Sequence, residues 1–275
     1  MPELPEVETV KKGLKELIVG EEITEVKVYY DRIIQNIPVS DFCKSLVGQK
    51  SIDITRKGKY LIFIFSNLIL VSHLRMEGKY FIKNREEKAK HEHVIFYFKS
   101  GKTLRYHDTR KFGTMDLFQT TNLQEVMRQK PLAQLGKEPL ELDFSGEYLK
   151  QKLKKSTRPI KTLLLDQTKI SGLGNIYANE VCFHTQINPH QPANTLTDEQ
   201  FEKIANSAKM VIIKAISLGG TTIRTFINAH EINGRFQNEL MVHMQKKCSI
   251  CGEQITKEFV GGRGTYYCKK CQQMR

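Results

Sequence analysis

The sequence predicts a multidomain α+β fold: a strand-rich N-terminal part, a helical middle part and a short cysteine-bounded module at the C-terminal end. Short runs of β-branched and aromatic residues recur over 22–118, and from about residue 119 the apolar residues recur at three- and four-residue steps. Two close cysteine pairs then bracket 248–271. The corresponding domains are predicted at 1–130, 131–239 and 240–275.

The N-terminal part combines one helix with many short strands. An amphipathic helix is predicted over 5–17, with Pro5 in its first turn and Gly20 beyond its end. Strands are predicted at 23–28, 51–56, 60–65, 68–72, 80–82, 94–98, 103–107 and 114–118. Many short strands at this spacing indicate a β-sandwich or a barrel.

The middle part has the longer period of helices. Helices are predicted at 123–129, 146–155, 159–166 and 175–185, and from Thr197 to the Gly219-Gly220 pair. Ser145 is a candidate N-cap, and Thr197 with Gln200 forms a capping-box pattern. The segment 221–239 has mixed polarity and is expected to be a loop.

Charge and hydropathy limit the class of protein. Lys and Arg number 43 against 30 Asp and Glu, which gives a net charge of +13 and favours a polyanionic partner, either nucleic acid or an anionic membrane face. The N-terminus has no signal-peptide pattern, and the most apolar stretch, 60–71, is about half the length of a spanning helix. We therefore expect a cytoplasmic protein whose cysteines are reduced or metal-bound.

The cysteines predict a metal site. Cys248-x2-Cys251 and Cys268-x2-Cys271, with 16 residues between the pairs, can supply four thiolates to one structural Zn²⁺, and disulfides are the alternative. All four positions are cysteine, so this site leaves no position open for catalysis. Cys43 and Cys182 stand alone in apolar settings and are expected in the core.

Between the cysteine pairs lies a predicted hairpin with a glycine-rich tip. The run Gly261-Gly262-Arg263-Gly264 follows one apolar segment and precedes another, which presents Arg263 at the turn. The surrounding module is basic. A hairpin of this kind suits contact with DNA phosphate or a DNA groove, in preference to a merely solvated basic face.

The extreme N-terminus holds a possible nucleophile. Removal of Met1, usual before a small residue, would leave Pro2 with a free secondary amine, and terminal amines titrate near about 8. Such an amine can attack a sugar carbon and form an iminium ion, with Glu3 and Glu6 available for proton transfer. Taken alone the pattern is weak, because most N-terminal prolines are inert.

Several motifs together resemble one family. They are Met1-Pro2-Glu3-Leu4-Pro5-Glu6-Val7-Glu8, Lys57-Gly58-Lys59-Tyr60-Leu61, His73-Leu74-Arg75-Met76, His107-Asp108-Thr109-Arg110-Lys111-Phe112-Gly113, Ile170-Ser171-Gly172-Leu173-Gly174-Asn175-Ile176-Tyr177-Ala178, Gly219-Gly220-Thr221-Thr222 and Gly262-Arg263-Gly264-Thr265. In this order, over essentially the whole chain, they resemble the formamidopyrimidine-DNA glycosylases. One departure is Lys111, where many relatives have a second arginine.

The resemblance implies a fold and an activity. The fold would be an N-terminal β-sandwich flanked by helices, a helix–two-turn–helix domain and a C-terminal zinc-finger β-hairpin. The activity would be that of a bifunctional DNA glycosylase/AP lyase that excises oxidised purines from duplex DNA in base excision repair. It would flip the damaged base out, form a Schiff base with Pro2, and then carry out β,δ-elimination.

The resemblance also implies roles for individual residues. Pro2 would be the nucleophile and Glu3 the acid/base, with Lys57 and Arg263 as phosphate-binding members of the catalytic set and Glu6 and Glu180 as supporting carboxylates. Residues implied to contact DNA are His91, Arg110, Asn175, Lys161, Met76, Phe112 and Arg263. Met76, Arg110 and Phe112 would fill the gap left by the flipped base, and a loop with Thr221, Thr222, Arg224 and Thr225 would close over that base.

Other interpretations remain open from the sequence. The sister enzyme endonuclease VIII prefers oxidised pyrimidines, although Leu4 and the Arg110-x-Phe112 pair resemble the purine-specific branch. A non-enzymatic damage sensor would need a broken active site, and a ribosomal or transcription zinc protein would leave the N-terminus unexplained. The expected partner is damaged double-stranded DNA, bound by a monomer in the bacterial cytoplasm near the nucleoid, with no membrane contact.

Overall fold

A computed structural model describes residues 2–221, 226–227, 230–231 and 234–274. It divides into two compact units, one formed by Met1–Ala133 with Thr222–Gly234 and the other by Gln134–Thr221 with Arg235–Arg275. The finer division into three domains stays a prediction.

Among the described residues, the first unit contains three α-helices and eight longer strands. The helices are α1 (Leu4–Ile18), α2 (Val39–Leu46) and α3 (Leu123–Met127). The strands are β1 (Ile23–Val28), β2 (Ser51–Lys57), β3 (Tyr60–Phe65), β4 (Ile69–His73), β5 (Lys79–Asn84), β6 (Glu92–Phe98), β7 (Lys102–His107) and β8 (Thr114–Phe118). Every predicted strand is present, most with ends within one or two residues of the prediction.

These strands form two four-stranded antiparallel sheets, which confirms the β-sandwich. One sheet has the order β1-β6-β7-β5 and the other β2-β3-β4-β8. Both sheets and the first two helices contribute to a single apolar core, in which Phe63 and Phe96 are each only 1% exposed. Burying a side chain of this size stabilises a fold by about 1.5–3 kcal/mol. The core therefore fixes α1, and with it the N-terminus, against the sheets.

Two segments differ from the sequence-based prediction. Helix α2 lies where no helix was predicted; it begins after Pro38 and buries Phe42 and Leu46. In the predicted loop 221–239 the described residues include two short paired strands, β9 (Phe226–Ile227) and β10 (His230–Glu231), and the 3-10 turn Phe236–Glu239.

The second unit is helical and ends in a hairpin. Its helices are α4 (Gly146–Leu153), α5 (Ile160–Leu164), α6 (Asn175–His184) and α7 (Asp198–Ser217), and its strands are β11 (Thr256–Val260) and β12 (Arg263–Tyr267). The two predicted caps are confirmed: Ser145 Oγ accepts the Tyr148 N–H at 3.2 Å, and Thr197 and Gln200 form a reciprocal capping box. Among the described residues, every helix is too short or too polar to cross a membrane.

The sandwich contains one carboxyl group whose ionisation opposes folding. Burial on β8 raises the pKa of Asp116 from 3.8 to about 6. The unfolded chain therefore loses this proton first, so stability falls as the pH rises from about 4 to about 6. We expect Asp116→Asn to raise the Tm above pH 7 and to lose this advantage near pH 4. Thermal melts at both pH values test this, and an equal Tm difference at the two would contradict it.

Candidate functional site

The N-terminus is held by a pair of buried carboxylates. Glu3 and Glu6 are 3% and 2% exposed, and Pro2 lies just before them, outside α1. The Glu6 Oε2 accepts the Glu3 N–H at 2.9 Å, and the Glu3 side chain accepts a backbone N–H at the third residue of the helix. Both carboxylates thus lie in the first turn, where the helix dipole stabilises negative charge. Pro2 is therefore attached to a rigid, acidic helix start.

A second contact fixes α1 against the sheet. The Arg56 Nε donates to Glu8 Oε2 at 2.8 Å, and the Lys11 Nζ lies 2.6 Å from Glu8 Oε1. Burial pushes the pKa of Glu8 upwards, but the hydrogen bonds and charges of Lys11 and Arg56 outweigh it and hold that pKa below its usual range. Because Arg56 lies on β2, this contact sets the position of the N-terminal helix relative to the end of that strand.

The turn after β2 contains two lysines with different surroundings. Lys57, the expected phosphate ligand, ends the strand and is half-buried, whereas Lys59 is 4% exposed. Gly58 between them has φ +57°, which is the left-handed region that glycine adopts at little cost. Burial, with the charges of Arg75 and Lys59, lowers the pKa of His73 to about 3. Sequence reasoning did not single out Lys59 or His73, although both lie inside the quoted motifs.

His73 introduces the segment that carries Met76. Its Nδ1 accepts the Arg75 N–H at 2.9 Å, so the neutral ring carries its proton on Nε2. Arg75 has φ +52°, and Met76 itself is half-buried rather than in the core. The side chain of Met76 is therefore not among the fully buried residues of the first unit.

The loop after β7 exposes the two other residues expected to fill a gap in DNA. The ring of Phe112 is 52% exposed, and the Arg110 guanidinium carbon lies 4.9 Å from its centroid. Lys111 between them has φ +58°, and its Nζ lies 4.9 Å from the ring centroid of Tyr30. The departure at Lys111 thus places a cation over a neighbouring aromatic ring of the same unit.

His91 lies directly before β6, and its backbone is bonded to Asp108, which precedes this loop. It is half-buried with φ +67°, and its ring centroid is 5.7 Å from that of His107. Its carbonyl accepts the Asp108 N–H at 3.0 Å. The first unit therefore brings His91 and the Arg110–Phe112 loop together through Asp108.

In the second unit, α6 begins at Asn175 after a glycine turn. Gly172 has φ +95°, and Gly174 is the N-cap of the helix. The Asn175 Nδ2 donates to the Gly264 carbonyl of the hairpin at 2.9 Å. The side chain of Asn175 thus joins the helix start to the hairpin tip, where Arg263 is exposed beside Gly264.

Lys161, which the resemblance assigns to DNA contact, is a buried lysine of α5. It is 0% exposed, and its Nζ donates to Asn175 Oδ1 at 2.7 Å, Thr265 Oγ1 at 2.6 Å and the Gly264 carbonyl at 3.2 Å. An ammonium group has three donors, and these three acceptors all belong to the second unit. Lys161 thus supports Asn175 and the hairpin from below, and its expected contact with DNA stays a prediction.

We expect Lys161→Met to destabilise the protein by about 2–3 kcal/mol, because it leaves buried oxygen atoms without their donor. The side-chain volume is nearly conserved, so the loss reports on the hydrogen bonds. Urea unfolding measures the change. The exposed Lys155 supplies the matched control, and a Lys161→Met variant as stable as Lys155→Met would contradict the assignment.

Glu180 supports the chain that leads into the cysteine module. It is 1% exposed and accepts the N–H groups of Met241, Val242 and His243 at 2.8, 3.2 and 2.8 Å. Burial raises the pKa of Glu180, and these backbone hydrogen bonds oppose that rise. Glu180 thus holds the backbone of 241–243 in place, and its role as a supporting carboxylate of the site stays a prediction.

The hairpin itself matches the prediction. Val260 pairs with Arg263 across the Gly261-Gly262 turn, and both glycines have positive φ, +56° and +74°. The Thr265 Oγ1 donates to the Arg263 carbonyl at 2.9 Å, which ties the turn to β12. Arg263 therefore extends from a fixed backbone.

The four predicted metal ligands converge. Sγ atoms of Cys248, Cys251, Cys268 and Cys271 all lie within 4.8 Å of one another, with Cys248–Cys271 at 3.8 Å and Cys251–Cys268 at 3.6 Å. A tetrahedral Zn²⁺ with Zn–S bonds of about 2.3 Å requires S···S separations of about 3.8 Å, whereas a disulfide would require about 2.05 Å. The cluster fits one structural zinc with no open position. Cys182 is buried as expected, whereas Cys43 is only half-buried at the edge of the core.

The expected base-closing loop lies mostly outside the described residues. Thr222, Arg224 and Thr225 are among the residues that the structure does not describe, whereas Thr221 is half-buried at the end of the described segment. The role of this loop stays a prediction.

Comparisons with known proteins agree along the whole chain. Residues 1–115 match the formamidopyrimidine-DNA glycosylase N-terminal domain, 135–227 match the H2TH domain of the same enzymes, and 245–273 match a zinc finger found in FPG and IleRS. Formamidopyrimidine-DNA glycosylases of Bacillus cereus and Listeria monocytogenes are 44% and 40% identical to this chain, which they match over 99% of its length and over 99% and 100% of their own.

Solved structures give the same result. The chain is similar to Lactococcus lactis Fpg (MutM) in complex with DNA that contains N7-benzyl-Fapy-dG, with a TM-score of 0.91 and 40% identity over 99% of this chain and 100% of that chain. It is also similar to MutM in complex with DNA that contains carbocyclic 8-oxo-G, with a TM-score of 0.90, 40% identity and the same coverage.

Proposed function

Because the chain belongs to the formamidopyrimidine-DNA glycosylase family, we propose that it is a bifunctional DNA glycosylase and AP lyase of base excision repair, specific for oxidised purines. The single observation that carries the mechanism is the position of Pro2, directly before the buried carboxylates Glu3 and Glu6 at the start of α1. An N-terminal secondary amine there has two carboxyl groups within its own helix turn for proton transfer.

The substrate class follows from lesion chemistry. The solved relatives hold a ring-opened purine in one case and an 8-oxoguanine analogue in another. We infer that this chain also acts on formamidopyrimidines and 8-oxoguanine in duplex DNA. The base is flipped out of the helix first, which costs a few kcal/mol of stacking and pairing.

Glycosidic cleavage and Schiff-base formation share one nucleophile. The lone pair of the Pro2 nitrogen attacks C1′, the bond from C1′ to the base breaks, and its electron pair leaves with the base, which takes up a proton. Glu3 then transfers the proton from the Pro2 nitrogen to O4′, the C1′–O4′ bond breaks as the nitrogen lone pair forms the C=N bond, and C1′ becomes an iminium carbon. A terminal amine with a pKa near about 8 is partly neutral at pH 7, so it is available as a nucleophile.

Strand cleavage follows from the iminium ion. Its positive charge acidifies the C2′ proton; loss of this proton shifts electrons towards C3′, and the bond from C3′ to its phosphate oxygen breaks. A second, δ-elimination releases the 5′ phosphate and leaves a one-nucleotide gap. Water then hydrolyses the iminium and regenerates Pro2. The zinc takes no part in these steps, since all four of its positions are cysteines.

Groups in both units hold the DNA. In the first unit we assign His91 to phosphate, and Met76, Arg110 and Phe112 to the gap left by the flipped base. In the second we assign Asn175 and Arg263 to phosphates, with Arg263 on a hairpin stabilised by zinc. Arg110 can hydrogen-bond the unpaired cytosine, while Met76 and Phe112 supply apolar surface. The loop with Thr222, Arg224 and Thr225 is assigned to the flipped base.

The lysine of the β2–β3 turn is assigned to the phosphate beside the lesion, and two residues compete for this role. Family resemblance assigns Lys57, whereas the burial of Lys59 and its effect on His73 favour Lys59. Alanine variants of each, compared for excision rate, decide between them. We expect the variant of the phosphate-binding lysine to lose activity by about 100-fold or more, because a positioned charge is lost, and the other variant to lose less than about threefold.

The proposal includes a cellular location and an oligomeric state. We propose that the enzyme works as a monomer in the cytoplasm, at the nucleoid DNA, because a single lesion has no two-fold symmetry for a dimer to match. The three parts 1–130, 131–239 and 240–275 correspond to catalysis, DNA binding with base recognition, and the zinc hairpin.

Lesion preference tests the proposed function. Single-turnover excision is measured on duplexes with 8-oxoguanine opposite cytosine and with thymine glycol opposite adenine. We expect a clear preference for 8-oxoguanine. A preference for thymine glycol would instead identify an enzyme of the endonuclease VIII type, and binding without cleavage of either lesion would identify a damage sensor.

A further inference from the structure

The carboxylate of Asp108 organises the loop that carries Arg110 and Phe112. Asp108 is 0% exposed. Its Oδ1 accepts the Arg110 N–H at 2.9 Å, and its Oδ2 accepts the N–H groups of Phe112 and Gly113, both at 2.9 Å. The Tyr106 hydroxyl lies 3.3 Å from the same Oδ2. One buried carboxylate therefore binds the backbone on both sides of Lys111.

The backbone of Asp108 extends this connection to His91. Its N–H donates to the His91 carbonyl at 3.0 Å, and its own carbonyl lies 2.8 Å from His93 Nε2. Asp108 is thus bonded to the chain on either side of Glu92, at the start of β6. The residue that shapes the exposed loop also fixes the segment that bears a second group expected to meet DNA.

The loop needs this support because its backbone is strained. Lys111 has φ +58°, which costs a residue with a side chain about 1 kcal/mol or more. A methyl group at Gly113 would overlap the Tyr106 hydroxyl, so the loop returns to β8 through a space that only glycine fits. Without the carboxylate, the N–H groups of Arg110 and Phe112 would lose their acceptor. The hydrogen bonds that offset the strain at Lys111 would then be absent.

A carboxylate that accepts several backbone N–H groups is also a common way to close a turn. What sets Asp108 apart is which residues it holds. Two of its three backbone donors, Arg110 and Phe112, carry exposed side chains stacked on each other. A turn with only a structural role would not require fixed directions for the side chains of Arg110 and Phe112.

We propose that Asp108 is the positioning residue for recognition of the base opposite the lesion. The inference rests on the proposed function, in which Arg110 and Phe112 enter the gap left by the flipped base. Asp108 sets the direction in which the Arg110 guanidinium leaves the backbone, and hydrogen bonds to a base edge weaken steeply when the donor is misaligned. Asp108 therefore acts on opposite-base selectivity through Arg110, without touching DNA.

The test measures single-turnover excision of 8-oxoguanine opposite cytosine and opposite adenine. We expect Asp108→Asn to reduce the cytosine preference by about tenfold, the scale of one well-aligned contact to a base edge. We expect the yield of borohydride trapping on a single-stranded abasic oligonucleotide, which has no opposite base, to change by less than about threefold. Asp116→Asn, a carboxamide change on β8 of the same unit, is the matched control and should keep the full preference.

A double-mutant cycle shows whether Asp108 acts through Arg110. Arg110→Ala alone should remove the cytosine preference, and Asp108→Asn added to it should reduce that preference no further. An unchanged preference in Asp108→Asn, or an equal loss in the presence and absence of Arg110, would overturn the inference. If Asp108→Asn melts below the assay temperature, Asp108→Glu, which moves the carboxylate by one methylene, takes its place. Failure of the wild-type protein to excise 8-oxoguanine would instead refute the proposed function.

Discussion

A chain with any residue in front of Pro2 is expected to lose excision and strand cleavage by about a thousandfold or more, because a nucleophile that forms the covalent intermediate is lost. An amide nitrogen shares its lone pair with the carbonyl group and cannot form an iminium ion. The buried carboxylates Glu3 and Glu6 would remain in place, so the loss would be chemical rather than structural. Retention of Met1 alone is enough to cause it.

Two preparations that differ only in front of Pro2 are compared for excision and strand cleavage. One begins at Pro2 after complete removal of methionine, and the other keeps a single glycine before Pro2; intact mass verifies each. Affinity for a duplex with a stable abasic analogue serves as the control and should agree within about twofold, since the DNA-contact groups are unaltered. Full activity in the glycine-extended preparation would show that the nucleophile is another group.

Loss of the zinc is expected to have the next largest effect. The four cysteines hold the module that ends in the Arg263 hairpin, and structural zinc contributes about 10–16 kcal/mol to the folding of comparable isolated modules. We expect Cys268→Ser to lose the metal and to weaken binding to the abasic-analogue duplex by about 100-fold or more, since a phosphate-binding arginine loses its fixed backbone.

Metal content and affinity are measured together. Cys43→Ser is the control, because Cys43 lies in the first unit, outside the cysteine cluster; it should keep one zinc per chain and full affinity. Cys268→Ser with zinc absent and DNA affinity intact would show that the hairpin does not contribute to binding. Reduced affinity in both variants would point to a general loss of folding instead.

Most helices and strands could be predicted from the sequence, because they depend on local patterns of apolar and turn residues. Strands β1, β3 and β8 begin and end at the predicted residues, since apolar runs bounded by turn residues define them. The zinc cluster and the Arg263 hairpin were also predictable, because their residues lie close together in the chain. Helix α2, which buries Phe42 and Leu46, was not predicted.

The candidate site was harder to predict from the sequence, because the role of a charged residue depends on its burial and on its partners in the fold. Nothing in the sequence distinguishes Lys161 from a surface lysine. In the fold its ammonium group donates hydrogen bonds to Asn175, 14 residues away in the chain, and to Thr265, 104 residues away. Lys57 and Lys59 are equivalent in sequence, and only the fold makes Lys59 the buried one. Asp108 lies inside a recognised motif, but its hydrogen bonds to the loop are visible only in three dimensions.

The most direct test of the mechanism is borohydride trapping on a duplex with 8-oxoguanine opposite cytosine. Reduction of the iminium ion should give a covalent protein–DNA band, and peptide mass analysis should map the link to the nitrogen of Pro2. A band that maps to a lysine, or no band from protein that cleaves the duplex, would contradict the assignment of Pro2 as the nucleophile.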